Sequence, residues 1–437
     1  MKSDILAVRG RQIWDSRGRP TVEAEVVTAG GAVGRGMAPA GASRGIHEAI
    51  DLRDGGPRFG GYGVEGAVAA VNGELARAIV GLDVRSQDQI DARLIVADGT
   101  TNKSRLGGNA TVAVSMAALN AAAHCEGEPL WRWLAQGAPV RLPLPEIQIF
   151  GGGAHAGRRT DVQDFMIMAP FAGSVRRALE ITADVYRAAG ELMARTGRLA
   201  GTADEGGWWP NFTSNEDALV ALTQAIEASG HRPGAEVFIS LDVAASELVS
   251  GDGYRLPLDG AQLDSAAMVE RVAGWARDYP ILSIEDPVGQ EDEAAMAEAT
   301  RRLGGDTQII GDDYLVTNAA RVEQAAAAGA CNALLVKVNQ AGTVSEARQA
   351  LRAARAHGWA TIVSARSGET EDVTISHLAT GWDAGQLKVG SFARSERMAK
   401  WNELLRIEAQ MGEDASFAGA GALPAGAAAR LGWPPRA

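Results

Sequence analysis

The chain has 437 residues, 46% of them hydrophobic and 22% charged, which is typical of a globular protein large enough for two domains. It carries 42 basic against 54 acidic residues, and this net charge of −12 argues against nucleic acid or an anionic membrane as a partner. No apolar stretch approaches the roughly 20 residues that a membrane span needs. The two cysteines, Cys125 and Cys331, have no metal-type spacing, so we expect free buried thiols in a cytoplasmic protein.

The first part of the chain predicts a small α+β domain. Residues 5–39 alternate apolar and polar side chains around Gly and Pro, a pattern of strands and turns. From about Gly66 to Gly127 the sequence becomes Ala-rich with helical periodicity. The segment Gln136–Glu146 holds three prolines and marks a junction. We therefore divide the chain into residues 1–138, an N-terminal α+β domain, and residues 139–437, a larger catalytic domain.

The second part of the chain predicts an α/β barrel. Short β-branched runs alternate with Ala-rich helical segments, which favours a parallel sheet covered on both faces. At least six such units in one domain favour a closed barrel over an open sheet. The runs are EVFISLDV, PILSIEDP, TQIIGDD, ALLVKVNQ, ATIVSARS and GQLKVGS. The tail from about Ala418 is rich in Ala, Gly and Pro, and its composition predicts irregular structure.

Charged side chains occur at the ends of the six runs, about one strand–helix unit apart. Because the carboxyl ends of barrel strands face one mouth, these side chains are expected to meet there. In chain order they are Asp242, Glu285, Asp312, Lys337, Arg366 and Lys388.

The three carboxylates predict a site for a hard cation. Asp242, Glu285 and Asp312 would repel one another unless a cation neutralised them, and oxygen ligands without His or Cys favour Mg²⁺. Lys337 and Lys388 would flank that metal, and a lysine crowded by cations can act as a base. A metal with a lysine base is suited to removing a proton next to a carboxylate.

Ten segments, in order over nearly the whole chain, resemble the enolase family. The family fold is an eightfold α/β barrel with an N-terminal α+β capping domain, and the resemblance implies it here. The segments are DSRGRPTVE, GASRGIHEA, GGAHAG, GTADEGGWWPN, LDVAASE, SIEDP, GDDYLVTN, LLVKVNQAGT, SARSGETED and GQLKVGSFARSERMAKWNELLRIE.

The resemblance also implies a role for each matching residue. Asp242, Glu285 and Asp312 would hold the tighter Mg²⁺, and Ser43 would join a second Mg²⁺. Lys337 would take the C2 proton of 2-phosphoglycerate, and Glu205 would help its C3 hydroxyl to leave. The remaining implied contacts are Lys388 on the substrate carboxylate side, Arg366 and Ser367 on the phosphate, and His155 closing over that phosphate. Members of the family are dimers or octamers of dimers, so a homodimer or octamer is expected.

The chain departs from the family at several positions around the substrate. Enolases carry His where this chain has Ala365, and Glu where it has Asp164. Arg44, Arg158 and Arg159 stand where the family typically has Thr, Asn and Lys. Added guanidinium groups suit a further anionic group, so Asp164, Arg44 and Arg158 join the expected substrate contacts.

These departures lead to three hypotheses. The favoured hypothesis is a phosphonate-pathway paralogue similar to carboxyphosphonoenolpyruvate synthase, which joins an enolpyruvyl unit to activated phosphonoformate in an enlarged, more cationic pocket. The second is an ordinary enolase that converts 2-phosphoglycerate to phosphoenolpyruvate and water. The third is a non-catalytic enolase-like binding protein. All three expect small anionic phosphate or phosphonate ligands.

Overall fold

A computed structural model describes residues 2–433 of the chain. It consists of a three-stranded antiparallel sheet with helices, followed by a closed barrel of eight strands surrounded by helices. Both cysteines are free and buried, as the sequence predicts. Within the described residues, no helix is long and apolar enough to cross a bilayer.

The N-terminal sheet is held against one long helix by unusually close packing. Its strands are Ile5–Trp14, Pro20–Thr28 and Val33–Met37. The third strand presents Gly34 and Gly36 to the Ala-rich helix. A Cβ on Gly34 would lie 2.1 Å from the backbone nitrogen of Ala121, and one on Gly36 would lie 2.4 Å from the carbonyl oxygen of Ala113. Glycines facing alanines therefore let the sheet and the helix approach more closely than larger side chains permit.

Helices complete the N-terminal domain, as the Ala-rich pattern predicts. The longest, Gly108–Glu126, is buried along almost its whole length. The others in this domain are Glu65–Ala70, which continues as a π-turn over Val71–Leu75 and as α-helix over Ala76–Ile79, then Gln87–Asp98 and Leu130–Ala135.

Eight strands form the barrel, and pairing of the last with the first closes it. The predicted closed barrel is therefore confirmed. In chain order its strands are Leu144–Gly151, Asp164–Met168, Phe238–Asp242, Ile281–Glu285, Gln308–Gly311, Ala333–Val336, Ala360–Ser364 and Gly385–Ser391.

One barrel strand breaks the predicted parallel arrangement. Asp164–Met168 pairs antiparallel with both of its neighbours. It follows Leu144–Gly151 through a loop without a full crossover helix, and a direct return of the chain produces an antiparallel pair. Its first residue, Asp164, consequently lies at the mouth where the parallel strands have their last residues.

Among residues 2–433, eight helices surround the barrel, and a ninth short one follows the strand that ends at Val336. The surrounding helices are Val175–Arg195, Asn215–Ala228, Ser265–Asp278, Glu293–Leu303, Ala319–Ala328, Val344–Ala356, Thr374–Gly381 and Ser395–Met411; the short one is Val338–Ala341. Small hairpins lie over Leu199–Thr202 with Trp208–Pro210 and over Val249–Ser250, Gly253–Leu256 and Ala261–Leu263.

The prediction of an irregular tail is wrong over most of that segment. Residues 419–422 form a 3₁₀ turn and 425–430 a short helix. Ala418, Ala422 and Ala427 are buried in a cluster with Leu144 and Phe238, the first residues of two barrel strands. Small side chains fit this position because the tail closes the bottom of the barrel, opposite the mouth. Residues 434–437 of the predicted tail lie outside the described residues.

Candidate active site at the mouth of the barrel

Strand pairing brings the predicted charged residues together at the mouth. Asp242 is the register partner of both Glu285 and Asp164, on the strands at either side of it. Asp312 and Lys337 follow the ends of the next two strands directly. These residues are all buried, so their charges interact in a medium of low polarity.

Two lysines pair with the three carboxylates in this arrangement. The Nζ of Lys388 lies 2.9 Å from Asp242 Oδ2 and 2.7 Å from Glu285 Oε2. The ammonium of Lys337 donates a hydrogen bond to Asp312 Oδ2. The lysines and carboxylates thus form two adjacent buried ion-pair groups.

The pKa values at the mouth follow from these pairs. Burial raises the pKa of Asp242, but the charges of Lys388 and Lys337 outweigh it, and the net pKa lies below the ordinary value. Burial lowers the pKa of Lys337, yet Asp312 reverses that effect and the net pKa is raised. The pKa of Lys388 is likewise raised well above its usual range, with burial opposed by Asp242 and Glu285. Both ammonium groups are therefore held in the charged form by their carboxylate partners.

One carboxylate oxygen of Glu285 would be available to a further cation. Its Oε1 is buried and has no hydrogen-bond partner. Burial raises the pKa of Glu285 well above its ordinary value, and the charge of Asp242 raises it further. An unpaired buried carboxylate oxygen is costly, and a divalent cation bound by Asp242, Glu285 and Asp312 would remove that cost. Donors that are all carboxylate oxygen fit a hard cation.

A second cluster joins a histidine to two acids. His155 lies in the short 3₁₀ turn Gly153–Ala156, and its Nδ1 is 3.0 Å from Asp164 Oδ1. Its Nε2 is 3.0 Å from Ser367 Oγ and 3.6 Å from Glu205 Oε1. The four residues link the loop before the antiparallel strand, the Glu205 loop and the segment after the strand Ala360–Ser364.

The neighbouring carboxylates favour the protonated form of the His155 imidazole. Burial lowers the pKa of His155, but the carboxylates of Asp164 and Glu205 raise it to about 9. Burial raises the pKa of Glu205, and the charge of His155 brings the net pKa below its ordinary value. At neutral pH the arrangement is an imidazolium between carboxylates, which is suited to acid–base work.

The N-terminal domain reaches the mouth through an ion pair. Glu48 binds Arg366, with Oε2 3.0 Å from Nη1 and Oε1 3.2 Å from Nη2, and both side chains are buried. The backbone carbonyl of Ser43 accepts a hydrogen bond from Arg366 Nη2 at 3.0 Å. The loop around Ser43 is thereby tied to the barrel.

The cavity between these groups is small. Its volume is about 20 Å³, roughly the space for one water molecule, and Ala365 forms part of its wall. The predicted residues that line it are Ser43, His155, Asp164, Glu205, Asp242, Lys337, Arg366, Ser367 and Lys388.

The three added arginines lie apart from this cavity. Arg158 is exposed and pairs with Glu247 at 2.7 Å, and Arg44 is exposed and lines a separate small cavity with Glu48. Arg159 donates to Asn211 at 2.7 Å. The added arginines therefore do not make this cavity more cationic in the way that the sequence suggested; Arg158 lines instead an adjoining cavity of about 410 Å³, which shares Gln163 with the first.

Sequence reasoning missed two polar residues on the first barrel strand. Glu146 and Gln148 are both fully buried inside the barrel. The signal was present, because two polar residues spaced by two in an apolar strand point to the same face. Glu48 was missed as well, since only the folded chain shows that it faces Arg366.

The mouth of this closed α/β barrel brings together carboxylates, lysines and a protonated imidazole, and its carboxylate oxygens suit a divalent cation. Such a site defines a class of protein, the α/β-barrel lyases that act by acid–base catalysis. Two family models match the chain, the enolase N-terminal domain over residues 5–134 and the enolase C-terminal TIM barrel domain over residues 139–425.

Two curated relatives are similar over nearly their whole length. An enolase from Rubrobacter xylanophilus is 47% identical over 421 residues, covering 96% of this chain and 98% of the relative. Enolase 1 from Desulfitobacterium hafniense is 45% identical over 424 residues, covering 96% and 97%. The chain belongs to the enolase family.

Proposed function

We propose that this protein is an ordinary enolase, which converts 2-phosphoglycerate reversibly to phosphoenolpyruvate and water with Mg²⁺. The observation that carries the proposal is that Lys337 and the His155–Glu205 pair line the same small cavity. A base and an acid that face one cavity suit the removal of a proton and a hydroxyl from adjacent carbon atoms. The names of the two relatives support the same reaction.

In the proposed reaction Asp312 would pair with Mg²⁺ instead of Lys337, which leaves Lys337 Nζ free to lose its proton and then to accept the C2 proton. The electron pair left on C2 moves into the substrate carboxylate. Mg²⁺ held by Asp242, Glu285 and Asp312 would supply the positive charge that stabilises this enolate. The pair then returns to form the C2–C3 double bond as the C3–O bond breaks. The protonated His155 supplies its proton through the neighbouring Glu205 to the departing hydroxide, so that water leaves.

The remaining residues of the mouth bind the anionic ends of the substrate. Arg366 offers a planar set of donors to a phosphate, and Ser367 lies beside it. Lys388 lies on the side of the three carboxylates and is assigned to the substrate carboxylate. Ser43 belongs to the capping loop and would join a second Mg²⁺.

The phosphonate-pathway hypothesis has no specific observation in its favour. It depended on an enlarged and more cationic pocket, whereas Arg44 and Arg158 are both exposed and lie outside the cavity that Lys337 and His155 line. Asp164, the shorter acid, pairs with His155 and Gln148. The non-catalytic hypothesis is disfavoured because the acid, the base and the three carboxylates are all present.

The test is incubation of the purified protein with 2-phosphoglycerate and Mg²⁺, following the absorbance of phosphoenolpyruvate. We expect turnover within the common range for enzymes, about 1–10³ s⁻¹. A parallel incubation adds nucleotide-activated phosphonoformate and is followed by ³¹P NMR. Negligible phosphoenolpyruvate together with a new phosphonate product would overturn the proposal in favour of the paralogue.

The matched variant is Lys337→Ala. It should keep the fold and Mg²⁺ binding but lose the exchange of the C2 proton of 2-phosphoglycerate with solvent deuterium. Exchange at the wild-type rate in Lys337→Ala would assign the base to another residue.

A further inference from the structure

The side chain of Gln148 connects two parts of the acid–base cluster that are far apart in sequence. Its Nε2 donates a hydrogen bond to Asp164 Oδ1, and its Oε1 accepts one from the backbone nitrogen of Gly207 at 2.9 Å. Gly207 lies two residues after Glu205 in the same loop. The amide therefore joins the Asp164 carboxylate to the loop that carries Glu205.

The contact with the loop is too close for any side chain at position 207. A Cβ on Gly207 would lie 2.3 Å from Gln148 Oε1. The same loop is held from the other side, because the carbonyl of Glu205 accepts from the backbone nitrogen of Ser391 at 2.9 Å. Glu205 is thus fixed between Gln148 and the last barrel strand.

The orientation of the Gln148 amide is determined by its two different partners. Asp164 offers only an acceptor and the nitrogen of Gly207 only a donor, so a flipped amide would lose both hydrogen bonds. Gln148 is completely buried, where a lost partner costs more than it does in water. Asp164 Oδ1 also faces His155 Nδ1 at 3.0 Å, so the amide sets the position of the oxygen that pairs with the imidazole.

We propose that Gln148 is a positioning residue, which holds Asp164, His155 and Glu205 in the arrangement that delivers the proton to the leaving hydroxyl. This inference rests on the proposed function. Gln148 acts through its neighbours, because it does not line the cavity itself.

The lengths of the two partners make a specific test available. An aspartate is one methylene shorter than a glutamate, and a glutamine is one methylene longer than an asparagine. Gln148 with Asp164 therefore spans the same gap as an asparagine with a glutamate would. Shortening residue 148 to asparagine while lengthening residue 164 to glutamate should preserve the hydrogen bond between them. Shortening residue 148 alone should break it.

The first variant is Gln148→Asn. We expect kcat for 2-phosphoglycerate to fall about 10- to 100-fold, the usual effect of losing a residue that orients a functional group, with KM changed less than about 3-fold. The double variant Gln148→Asn with Asp164→Glu should recover most of the lost kcat and should exceed Asp164→Glu alone. That second comparison remains informative even if Gln148→Asn alone folds poorly.

The control variant is Gln386→Asn, which shortens another fully buried glutamine inside the barrel. Gln386 donates to Gln308 Oε1 at 2.7 Å and to the carbonyl of Ala422 at 3.2 Å, below the mouth. A purely structural cost of shortening a buried amide should appear in both variants as a lower Tm. A loss of kcat confined to Gln148→Asn supports the positioning role.

A readout that needs no turnover separates this inference from the proposed function. The imidazole of His155 is titrated by NMR, with the His155→Asn variant to assign its signal. In Gln148→Asn the pKa of His155 should fall by about one unit or more, because Asp164 is no longer held beside it.

If the wild type does not dehydrate 2-phosphoglycerate, the proposed function fails, and the His155 titration alone decides the role of Gln148. If the wild type is active and Gln148→Asn has a normal kcat and a normal His155 titration, the positioning role is overturned. The positioning role is also overturned if kcat of the double variant is no higher than the combined effects of the two single changes predict.

Discussion

A buried carboxylate beneath the mouth makes a measurable contribution to the pH dependence of stability. Glu146 is fully buried inside the barrel, where Gln308 Nε2 donates to its Oε1 at 3.2 Å and Ser240 Oγ to its Oε2 at 3.4 Å. Burial raises the pKa of Glu146 from 4.5 to about 7, and the charge of Lys388 offsets only part of that effect. The variant Glu146→Gln keeps the shape and removes the ionisation.

Thermodynamic linkage between proton binding and folding gives the sign and size of the contribution of Glu146 to stability. An acid whose pKa is higher in the folded state than in the unfolded state lowers stability once the pH exceeds its unfolded pKa. For Glu146 this loss begins near pH 4.5 and levels off above about pH 7, at about 3 kcal/mol. The stability of Glu146→Gln relative to the wild type should therefore grow by about 2.5 kcal/mol between pH 5 and pH 8.

The assay is thermal unfolding of both proteins from pH 5 to pH 8 without divalent cations. An unfolding entropy of about 2 cal/mol/K per residue over 437 residues converts the change into a Tm difference that widens by about 3 °C. The exposed Glu227, on the helix Asn215–Ala228, provides the control variant Glu227→Gln, whose Tm difference should stay constant. A constant difference for Glu146→Gln as well would refute a pKa raised by burial.

Three further changes test the mouth. Asp312→Ala removes one of three carboxylates and should weaken Mg²⁺ binding, measured by calorimetry, by more than about 100-fold; wild-type affinity would move the metal site elsewhere. Glu48→Ala leaves the buried guanidinium of Arg366 unpaired and should cost about 3–5 kcal/mol, seen as a lower Tm. Ala365→His overfills a cavity of about 20 Å³, so it should cost about 1–3 kcal/mol without raising kcat. A faster enzyme with an unchanged Tm would contradict that expectation.

The barrel and most of its mouth were predictable because they follow from local patterns. Alternating apolar strands and helices predict the barrel, and its closure brings the strand ends together whatever the loops do. The sequence alone therefore predicts that one mouth of the barrel holds Asp242, Glu285 and Lys337.

Other features depend on contacts that no local pattern expresses. The pairing of Lys388 with both Asp242 and Glu285 joins strands more than a hundred residues apart in the chain. The antiparallel direction of Asp164–Met168 depends on the absence of a crossover helix, which a count of apolar runs does not reveal. Arg158 was misjudged because the sequence gives its proximity to His155 but not the direction of its side chain, which extends to Glu247.

One strand, Leu144–Gly151, contributes side chains to two layers inside the barrel, and the two layers predict separable effects. Because side chains two residues apart share a face, Gln148 lies level with the mouth and Glu146 one layer deeper. Gln148 binds Asp164 directly, whereas the hydrogen bonds of Glu146 go to Ser240 and Gln308. Glu146→Gln should therefore change the pH dependence of Tm between pH 5 and pH 8 and leave the His155 titration unaltered. Gln148→Asn should lower the pKa of His155, with most of the linked change in Tm above pH 8. Measurement of both quantities in both variants tests this, and a shifted His155 titration in Glu146→Gln would mean that the two layers act as one network.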